Sequence, residues 1–294
     1  MTKLIVIPTT LKQIYDLNSL CDGFILGIKN LSINMPSYFE LDELKEVIKF
    51  LKDNNKEVFI CLNKNLHNKD LIEVEKCLLE LNNLNINGVF YYDIGIVNMS
   101  KRLNLNYDLV WSQEHLTTNY STCNYWYKHG IKCAYLSNEI TLEEIIKISG
   151  CTKMKLFVNV FGYLPMFTSK RHLVDNYLKT FSLEKSNKYT IYKEENKYPI
   201  VDNEDGTTVY SSKILNALEE YLIYKENDIE YAVLNSFWIE DSLFLKVLEL
   251  FKNINNENKK ELSNEINSLL NGNWDKGFLY KETVYKVKKN DKNN

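Results

Sequence analysis

Long hydrophobic runs are missing from this sequence of 294 residues, since no stretch approaches the roughly 18 consecutive apolar residues that span a membrane. The first residues, MTKLIVIPTT, turn polar too soon for a secretory signal. The formal net charge of -3 provides no general attraction to nucleic acid or to an anionic membrane. We therefore expect a cytoplasmic protein with no membrane partner, in which any nucleic-acid contact depends on a local basic patch.

Cysteine pairs at metal-binding spacing are also absent. None of the six cysteines forms a CxxC pair, and they are scattered over Cys21, Cys61, Cys77, Cys123, Cys133 and Cys151. Zinc and iron–sulfur sites need several cysteines or histidines that converge, which this distribution does not favour. We expect unpaired and mostly buried thiols in a reducing compartment.

Motifs of hydrolases and nucleotide-binding proteins are missing as well. The sequence has no GxSxG, HExxH, GxGxxG or P-loop, so it does not support serine-hydrolase or zinc-protease mechanisms. Carboxylates after predicted strands are few, namely Asp93, Glu114 and Glu139. Asp93 with His115 could supply an acid–base pair, which makes both weak catalytic candidates. Two alternatives stay open: Asp93 caps the helix after its strand, and His115 is a structural loop histidine.

Short apolar runs alternate with helical patterns through most of the chain. Strands are predicted at Lys3–Pro8, Gly23–Ile28, Glu57–Leu62, Gly88–Tyr92, Leu109–Ser112, Cys133–Leu136, Lys155–Val160 and Tyr231–Trp238. Helices are predicted at Phe39–Asp53, Asp70–Leu84, Thr141–Ser149, Lys213–Tyr224 and Asp241–Lys252. Strands that are apolar nearly throughout indicate a parallel sheet covered on both faces. Eight of them favour an α/β fold with (β/α)8 TIM-barrel-like architecture, and an open doubly wound sheet is the alternative.

Two segments depart from this alternation. Residues 181–212 are charged and alternating, with a turn signal at Asp205–Gly206, which predicts a small antiparallel insertion. Residues 257–273 are polar and helical, Asn273–Lys289 is typical of a final aromatic strand or arm, and Lys288–Asn294 is expected to be disordered. We therefore predict a barrel-like domain over residues 1–255, containing the insertion, and a C-terminal extension over residues 256–294.

Cationic side chains follow the seventh predicted strand. Its apolar residues end at Gly162, and a helix-compatible run with Ser169, Lys170 and Arg171 comes next. Residues just after the strand ends line the binding site of a barrel, and arginine can hold a carboxylate or phosphate in a bidentate grip. These three residues are therefore candidates for binding a small anion. A solvated cationic pair on a helix surface is the alternative.

Three neutral residues complete the candidate ligand-binding set. Asn63 follows the third predicted strand, while Thr117 and Asn119 follow the fifth. Because the carboxyl ends of barrel strands meet at one face, we expect all three at the same end of the fold. Thr117 and Asn119 also lead into a helical stretch, so either could cap that helix instead.

Four ordered segments carry a resemblance to a known family: HLTTNYSTCNYW at 115–126, VFGYLPMFTSKRHLVDNYL at 160–178, NKYPIVDNEDGTTVYSS at 196–212 and GFLYKETVYKV at 277–287. Over about residues 3–289 the chain resembles the peptidase U32 (collagenase-like) family, and most of all its shorter members from Gram-positive bacteria and their wall-less relatives. The family name implies a hydrolase, namely a protease. Better-understood relatives take part in prephenate-linked hydroxylation of the wobble uridine of tRNA, or in hydroxylation of ubiquinone or ribosomal RNA.

Such relatives typically hold an iron–sulfur cluster with four cysteines, the first of them inside a pattern like HGxxC. At the matching positions this chain has Phe161-Gly162 and Pro165, and no cysteine occurs after Cys151. The resemblance therefore implies that this chain alone holds no iron–sulfur cluster and no other cofactor.

The resemblance also implies partners. We expect a clusterless subunit in tRNA modification that works with a larger, cysteine-bearing paralogue, reaches tRNA through that complex and binds a small carboxylate such as prephenate. The retained Ser169, Lys170, Arg171 and Asn176 would then serve ligand binding or the subunit interface. A metal-dependent peptidase and a non-catalytic binding barrel are the alternatives.

Overall fold

The structure, a computed structural model, describes residues 1–113, 115–186, 188–204 and 206–281. In chain order its elements are β1 (Lys3–Ile7), α1 (Leu11–Leu17), β2 (Gly23–Gly27), α2 (Leu41–Asp53), β3 (Glu57–Leu62), α3 (Leu71–Asn82), β4 (Gly88–Tyr91), α4 (Gly95–Leu103), β5 (Asp108–Trp111), α5 (Tyr120–Lys128), β6 (Cys133–Tyr135), α6 (Leu142–Cys151), β7 (Lys155–Gly162), β8 (Pro165–Ser169), α7 (Leu173–Thr180), β9 (Tyr189–Lys193), β10 (Asn196–Asn203), β11 (Gly206–Tyr210), β12 (Ile214–Asn216), α8 (Leu218–Glu226), β13 (Tyr231–Asn235), α9 (Asp241–Asn253), α10 (Lys259–Leu270) and β14 (Trp274–Asp275).

Eight parallel strands form a closed barrel. Strands β1 to β7 lie side by side in sequence order, and β13 fills the gap between β7 and β1. Tyr231 of β13 pairs with Lys3 on one side and with Phe157 on the other. The eight strands are those predicted from the apolar runs, so the (β/α)8 prediction is confirmed. The closed ring of pairings excludes the open doubly wound sheet.

Large aromatic side chains fill the barrel interior. Successive residues of a strand point to opposite faces, so half of each apolar strand faces inward. The buried rings of Phe59, Phe90, Phe157 and Tyr231 meet there, with centroids between 4.0 and 6.0 Å apart. This packed interior forms the floor beneath the carboxyl ends of the strands.

The helices cover the outside of the barrel with apolar stripes. Helix α2 buries the side chains that the spacing predicts, Leu44, Val47, Ile48 and Leu51. Helix α6 begins at the predicted Thr141 cap, whose Oγ1 accepts a hydrogen bond from Glu144 N at 3.3 Å, while Glu144 Oε2 accepts one from Thr141 N at 3.0 Å. Within the described part of the chain, every helix is too short or too polar to cross a membrane.

The antiparallel insertion is larger than predicted and begins earlier. A four-stranded sheet of order β8-β11-β10-β9 starts at Pro165, and α7 lies within the same excursion. The prediction of a helix-compatible run after Gly162 is therefore wrong in part, because Ser169 ends a strand and the helix begins only at Leu173. Gly206 opens β11 with φ +117°, and a Cβ there would lie 2.0 Å from Ser169 O. Of the predicted Asp205–Gly206 turn, Asp205 lies outside the described residues.

The C-terminal third departs from the prediction at one helix. The predicted helix Lys213–Tyr224 is wrong at its start, because Ile214–Asn216 forms β12, which pairs with the end of β7 and with β14. The helix itself, α8, begins at Leu218. Helix α10 confirms the predicted helical segment. Of the predicted final strand or arm Asn273–Lys289, only Trp274–Asp275 forms a strand, residues 277–280 form a turn, and residues 282–289 lie outside the described residues. The predicted disorder of Lys288–Asn294 falls outside the described residues.

Candidate binding site at the barrel mouth

A small pocket with apolar and polar walls lies at the carboxyl ends of the barrel strands. Its volume is about 90 Å³. Its lining includes polar residues at or after four strand ends, namely Asn63, Ser112, Ser137, Asn138, Glu139 and Asn235, and Asn159 from within β7. Most of these side chains are neutral, as the sequence predicts for this face. We call this cavity the mouth pocket.

A hydrogen-bonded chain fixes the amides of the mouth pocket. Tyr135 OH donates to Asn159 Oδ1 at 2.5 Å, and Asn159 Nδ2 donates to Asn138 Oδ1 at 2.5 Å. Across the pocket, Asn235 Oδ1 accepts from Phe237 N at 2.9 Å. The predicted ligand residue Asn63 holds the loop at Ile33 in place. Its Oδ1 accepts from Ile33 N at 2.8 Å, and its Nδ2 donates to Ile33 O at 2.9 Å. These contacts pre-organise the pocket wall.

A larger cleft of about 530 Å³ opens beside the mouth pocket. Asn34, Asn63 and His115 line both cavities, so the two adjoin. Among the described residues, the lysines of this cleft are Lys64, Lys69 and Lys170, its histidines are His67 and His115, and its acidic side chains are Asp70 and Glu204. We call it the lysine cleft. It lies between the loops of the barrel and strand β8 of the insertion.

The cationic segment after β8 divides between the cleft and the open surface. Lys170 lines the lysine cleft, and Ser169 Oγ accepts a hydrogen bond from Arg171 N at 3.2 Å. Arg171 is exposed and lies outside both cavities, and its guanidinium bonds none of the described residues. The structure thus brings Asn63, His115 and Lys170 of the predicted set into one cleft.

The two weak catalytic candidates have other contacts. The Asp93 carboxylate accepts from Gly95 N, the first residue of α4, at 2.7 Å and from Leu66 N at 3.2 Å, while the N-cap position of α4 is Ile94. His115 Nδ1 lies 3.4 Å from Glu139 Oε1. Each candidate therefore already has a partner other than the one the sequence suggests, and an acid–base role for the pair stays a prediction.

The two candidates after β5 lie outside the described cavities. Asn119 caps α5, because its Oδ1 accepts from Thr122 N at 2.9 Å. Thr117 is 0% exposed, and its hydroxyl has no hydrogen-bond partner among the described residues. A side chain without exposed surface reaches a ligand only if the loop rearranges, so ligand binding by Thr117 stays a prediction.

Replacing Thr117 by valine is expected to stabilise the fold. The change keeps the shape and removes a buried hydroxyl whose desolvation is uncompensated, which favours the variant by about 1 kcal/mol. Thermal unfolding should show a melting temperature roughly 2–4 °C higher. Thr141→Val is the matched control: it removes the cap of α6 and should destabilise by about 1 kcal/mol. A lowered melting temperature for Thr117→Val would mean that the hydroxyl has a partner.

The burial of the cysteines bears on the iron–sulfur cluster that the resemblance implies for the family. Five are buried and only Cys151 is exposed. Burial raises the pKa of Cys21, Cys77, Cys123 and Cys133 to about 12, which keeps these thiols protonated at neutral pH. Throughout the described ranges, no three His, Cys, Asp or Glu side chains converge as a metal site. The thiols present do not fit a four-cysteine cluster.

Two features of the mouth lie outside the predicted set of site residues. Asn159 is a polar residue inside the apolar strand LFVNVFG, two residues after the inward-facing Phe157, so the strand period could have identified it. Lys64 and Lys69 belong to a loop whose position beside β8 depends on how the insertion folds. Nothing local in the sequence marks those lysines.

Comparisons with known proteins agree with this architecture. The model of Peptidase family U32 matches residues 12–289. The chain is 26% identical over 313 residues to tRNA hydroxylation protein P2 of Bacillus subtilis (strain 168), covering 96% of this chain and 99% of that protein. It is 20% identical over 190 residues to tRNA hydroxylation protein P1 of the same organism, covering 62% of this chain and 45% of that protein.

A solved structure extends the comparison to the fold. The U32 peptidase Mk0906 superposes with a TM-score of 0.53 at 14% identity, over 80% of this chain and 93% of that one. At this identity the likeness concerns the fold alone. The family model, in contrast, extends from the first helix of the barrel through all later described elements. The chain therefore belongs to the peptidase U32 family.

Proposed function

We propose that this chain is a subunit in the prephenate-linked hydroxylation of the wobble uridine of tRNA. The observation that carries the proposal is the end-to-end match to tRNA hydroxylation protein P2, which covers 96% of this chain and 99% of the relative. A match of this extent aligns nearly all of the barrel and of the insertion with the relative. The proposal assigns the barrel as a whole to the same process.

We further propose that the chain works without its own cluster, beside a longer, cysteine-bearing paralogue. The match to protein P1 supports a pair of related proteins, since it covers only 45% of that relative. The buried, protonated thiols described above also support a chain that leaves redox chemistry to its partner. In this arrangement the barrel supplies binding surface for tRNA and ligand.

A small carboxylate ligand belongs to the same proposal. Lys170 faces the lysine cleft, and the exposed Arg171 guanidinium beside it makes no bond to a described side chain. A cation of this kind can take a carboxylate, with Arg supplying two parallel donors. Asn63, at the junction of the two cavities, would position the ligand next to the mouth pocket.

Deleting the gene in the native host is expected to abolish or strongly reduce wobble-uridine hydroxylation. Nucleoside mass spectrometry of bulk tRNA measures it, with the unmodified uridine as the accumulating species. Re-expression of the chain should restore the modification. Unchanged nucleosides in the deletion strain would contradict the proposed function.

Affinity purification of the chain from the same host addresses the partner. The longer paralogue should co-purify in a constant ratio, and a cluster absorbance should follow that paralogue and not this chain. A stable monomer that restores the modification in a strain lacking the paralogue would contradict the paired arrangement.

A further inference from the structure

We propose that the mouth pocket and the lysine cleft together bind one nucleotide of single-stranded RNA, with a uracil base in the pocket and its phosphates in the cleft. The inference rests on the proposed function and deepens it by naming which surface receives the RNA. It is carried by the polarity of the pocket amides, by the volume of the pocket and by the charges of the adjoining cleft.

The amide oxygens of the pocket are hydrogen-bonded within the protein, which leaves NH₂ groups to donate to a ligand. The oxygens of Asn138, Asn159 and Asn235 already accept hydrogen bonds within the protein. The NH₂ groups of Asn138 and Asn235 donate to none of the described residues, although Asn235 is only 7% exposed. Neither NH₂ group is among the buried side-chain atoms of the described residues that lack a partner, so both are open to solvent and can donate to a ligand that brings oxygen acceptors.

A uracil base matches this polarity. Uracil presents carbonyl oxygens, whereas cytosine carries an N4 amino donor where uracil carries O4. A donor would face the amide donors of Asn138 and Asn235 and leave both sides unpaired. The hydroxyl of Ser112 and the carboxylate of Glu139 also line the pocket and provide acceptors for the single N–H of uracil. The pocket wall thus distinguishes uracil from cytosine by whether the base accepts or donates one hydrogen bond.

The size of the pocket agrees with a single planar group. At about 90 Å³ the mouth pocket is much smaller than the lysine cleft of about 530 Å³, so an extended ligand has room in the cleft and only a compact group has room in the pocket. A base reaches such a pocket only when it is unstacked, as in a single-stranded loop.

The lysine cleft provides what the rest of a nucleotide needs. Among the described lining residues, Lys64, Lys69 and Lys170 bring positive charge beside the pocket, and the carboxylates are those of Asp70 and Glu204 in the cleft and Glu139 in the mouth pocket. Lysine contacts to phosphate carry most sequence-independent affinity for nucleic acid. The ring of Phe167, which is 55% exposed, also lines the cleft and offers a stacking surface for a neighbouring base. The overall charge of -3 does not oppose this, because the attraction is local.

The test measures RNA binding by the chain purified from its native host with whatever co-purifies. The probes are two fluorescent seven-nucleotide RNAs that differ only in a central U or C, read by anisotropy at one fixed salt concentration. The central-U RNA should bind about tenfold tighter, the size expected for one well-placed base contact. Asn138→Asp and Asn235→Asp keep the accepting oxygen and replace the donor by an acceptor. Each should weaken binding of the U probe about tenfold and remove the preference for U.

Two further variants distinguish the contribution of the pocket from that of the cleft and from the effect of an added negative charge. Lys170→Gln should weaken both RNAs equally and reduce the slope of log affinity against log salt by about 0.7. Asn264→Asp makes the same chemical change on the exposed face of α10 and should leave both affinities unchanged.

Two results would overturn the inference: equal binding of the two RNAs, or unchanged binding of the U probe by Asn138→Asp. The proposed function is tested separately, by the tRNA nucleosides of the deletion strain. If the deletion strain loses the modification but the chain shows no preference for U, the proposed function stands and the uracil does not bind in the mouth pocket.

Discussion

Phe157→Ala is expected to cost about 3–5 kcal/mol of unfolding free energy, the range for a fully buried phenylalanine. Phe157 stacks on Tyr231 at 4.0 Å and meets the rings of Phe90 at 4.9 Å and Phe59 at 5.1 Å. Removing the ring leaves a cavity among three aromatic groups that cannot collapse without moving the strands. Urea unfolding followed by tryptophan fluorescence measures the loss.

Two companion variants keep this prediction testable, because a domain stabilised by only about 5–15 kcal/mol can fail to fold after such a loss. Phe157→Leu fills most of the space and should cost less than about 1.5 kcal/mol. Phe181→Ala changes a ring that is 60% exposed and should alter stability by no more than about 0.5 kcal/mol. Equal costs for Phe157→Ala and Phe181→Ala would contradict the packed interior.

Glu220→Ala is expected to cost about 3 kcal/mol, since removing one partner of a buried ion pair leaves the others uncompensated. The two Glu220 oxygens accept from Lys276 Nζ at 2.7 Å and from Tyr280 OH at 2.9 Å, and these contacts fasten the segment after α10 to α8. Burial and this hydrogen bond raise the pKa of Tyr280 to about 12, so its hydroxyl stays a donor at neutral pH. Urea unfolding gives the loss, and limited proteolysis should cut near Trp274.

Glu219→Ala is the matched control on the same helix. Glu219 pairs with Lys259 at 3.3 Å, and its side chain is 42% exposed, against 3% for that of Glu220. An exposed pair of this kind contributes less than about 1 kcal/mol. If Glu219→Ala and Glu220→Ala lowered the unfolding free energy by the same small amount, the C-terminal segment would be held by its apolar contacts and not by Glu220.

The barrel could be predicted from the sequence because each of its strands is a local apolar run. Runs such as KLIVI and EVFICL are bounded by helical patterns and carry their own signal. The insertion could not be predicted to the same depth. Met166, Phe167 and Thr168 of β8 are exposed and pair with β11, a contact that only tertiary structure creates. For the same reason the sequence predicts the start of a helix at Ile214–Asn216, whereas the structure has a strand there that pairs with β7.

The sequence predicts where the candidate residues lie better than what they do. The rule that strand ends carry the chemistry places Asn63, His115 and Lys170 at one face, and the three line one cleft, while their role stays a prediction. It does not separate binding groups from caps, because Asn119 satisfies both descriptions until its contact with Thr122 N is known. The donor polarity of the pocket depends on which amide oxygens are already bonded, and a sequence does not state this.

The most direct test of the central claim is the fraction of hydroxylated wobble uridine in tRNA from the deletion strain carrying different versions of the chain. The wild-type chain and Asn264→Asp should restore the modification fully. The double variant Asn138→Asp, Asn235→Asp, present at the same cellular level, should restore little of it. A deletion strain whose wobble uridine is still fully hydroxylated would contradict the account.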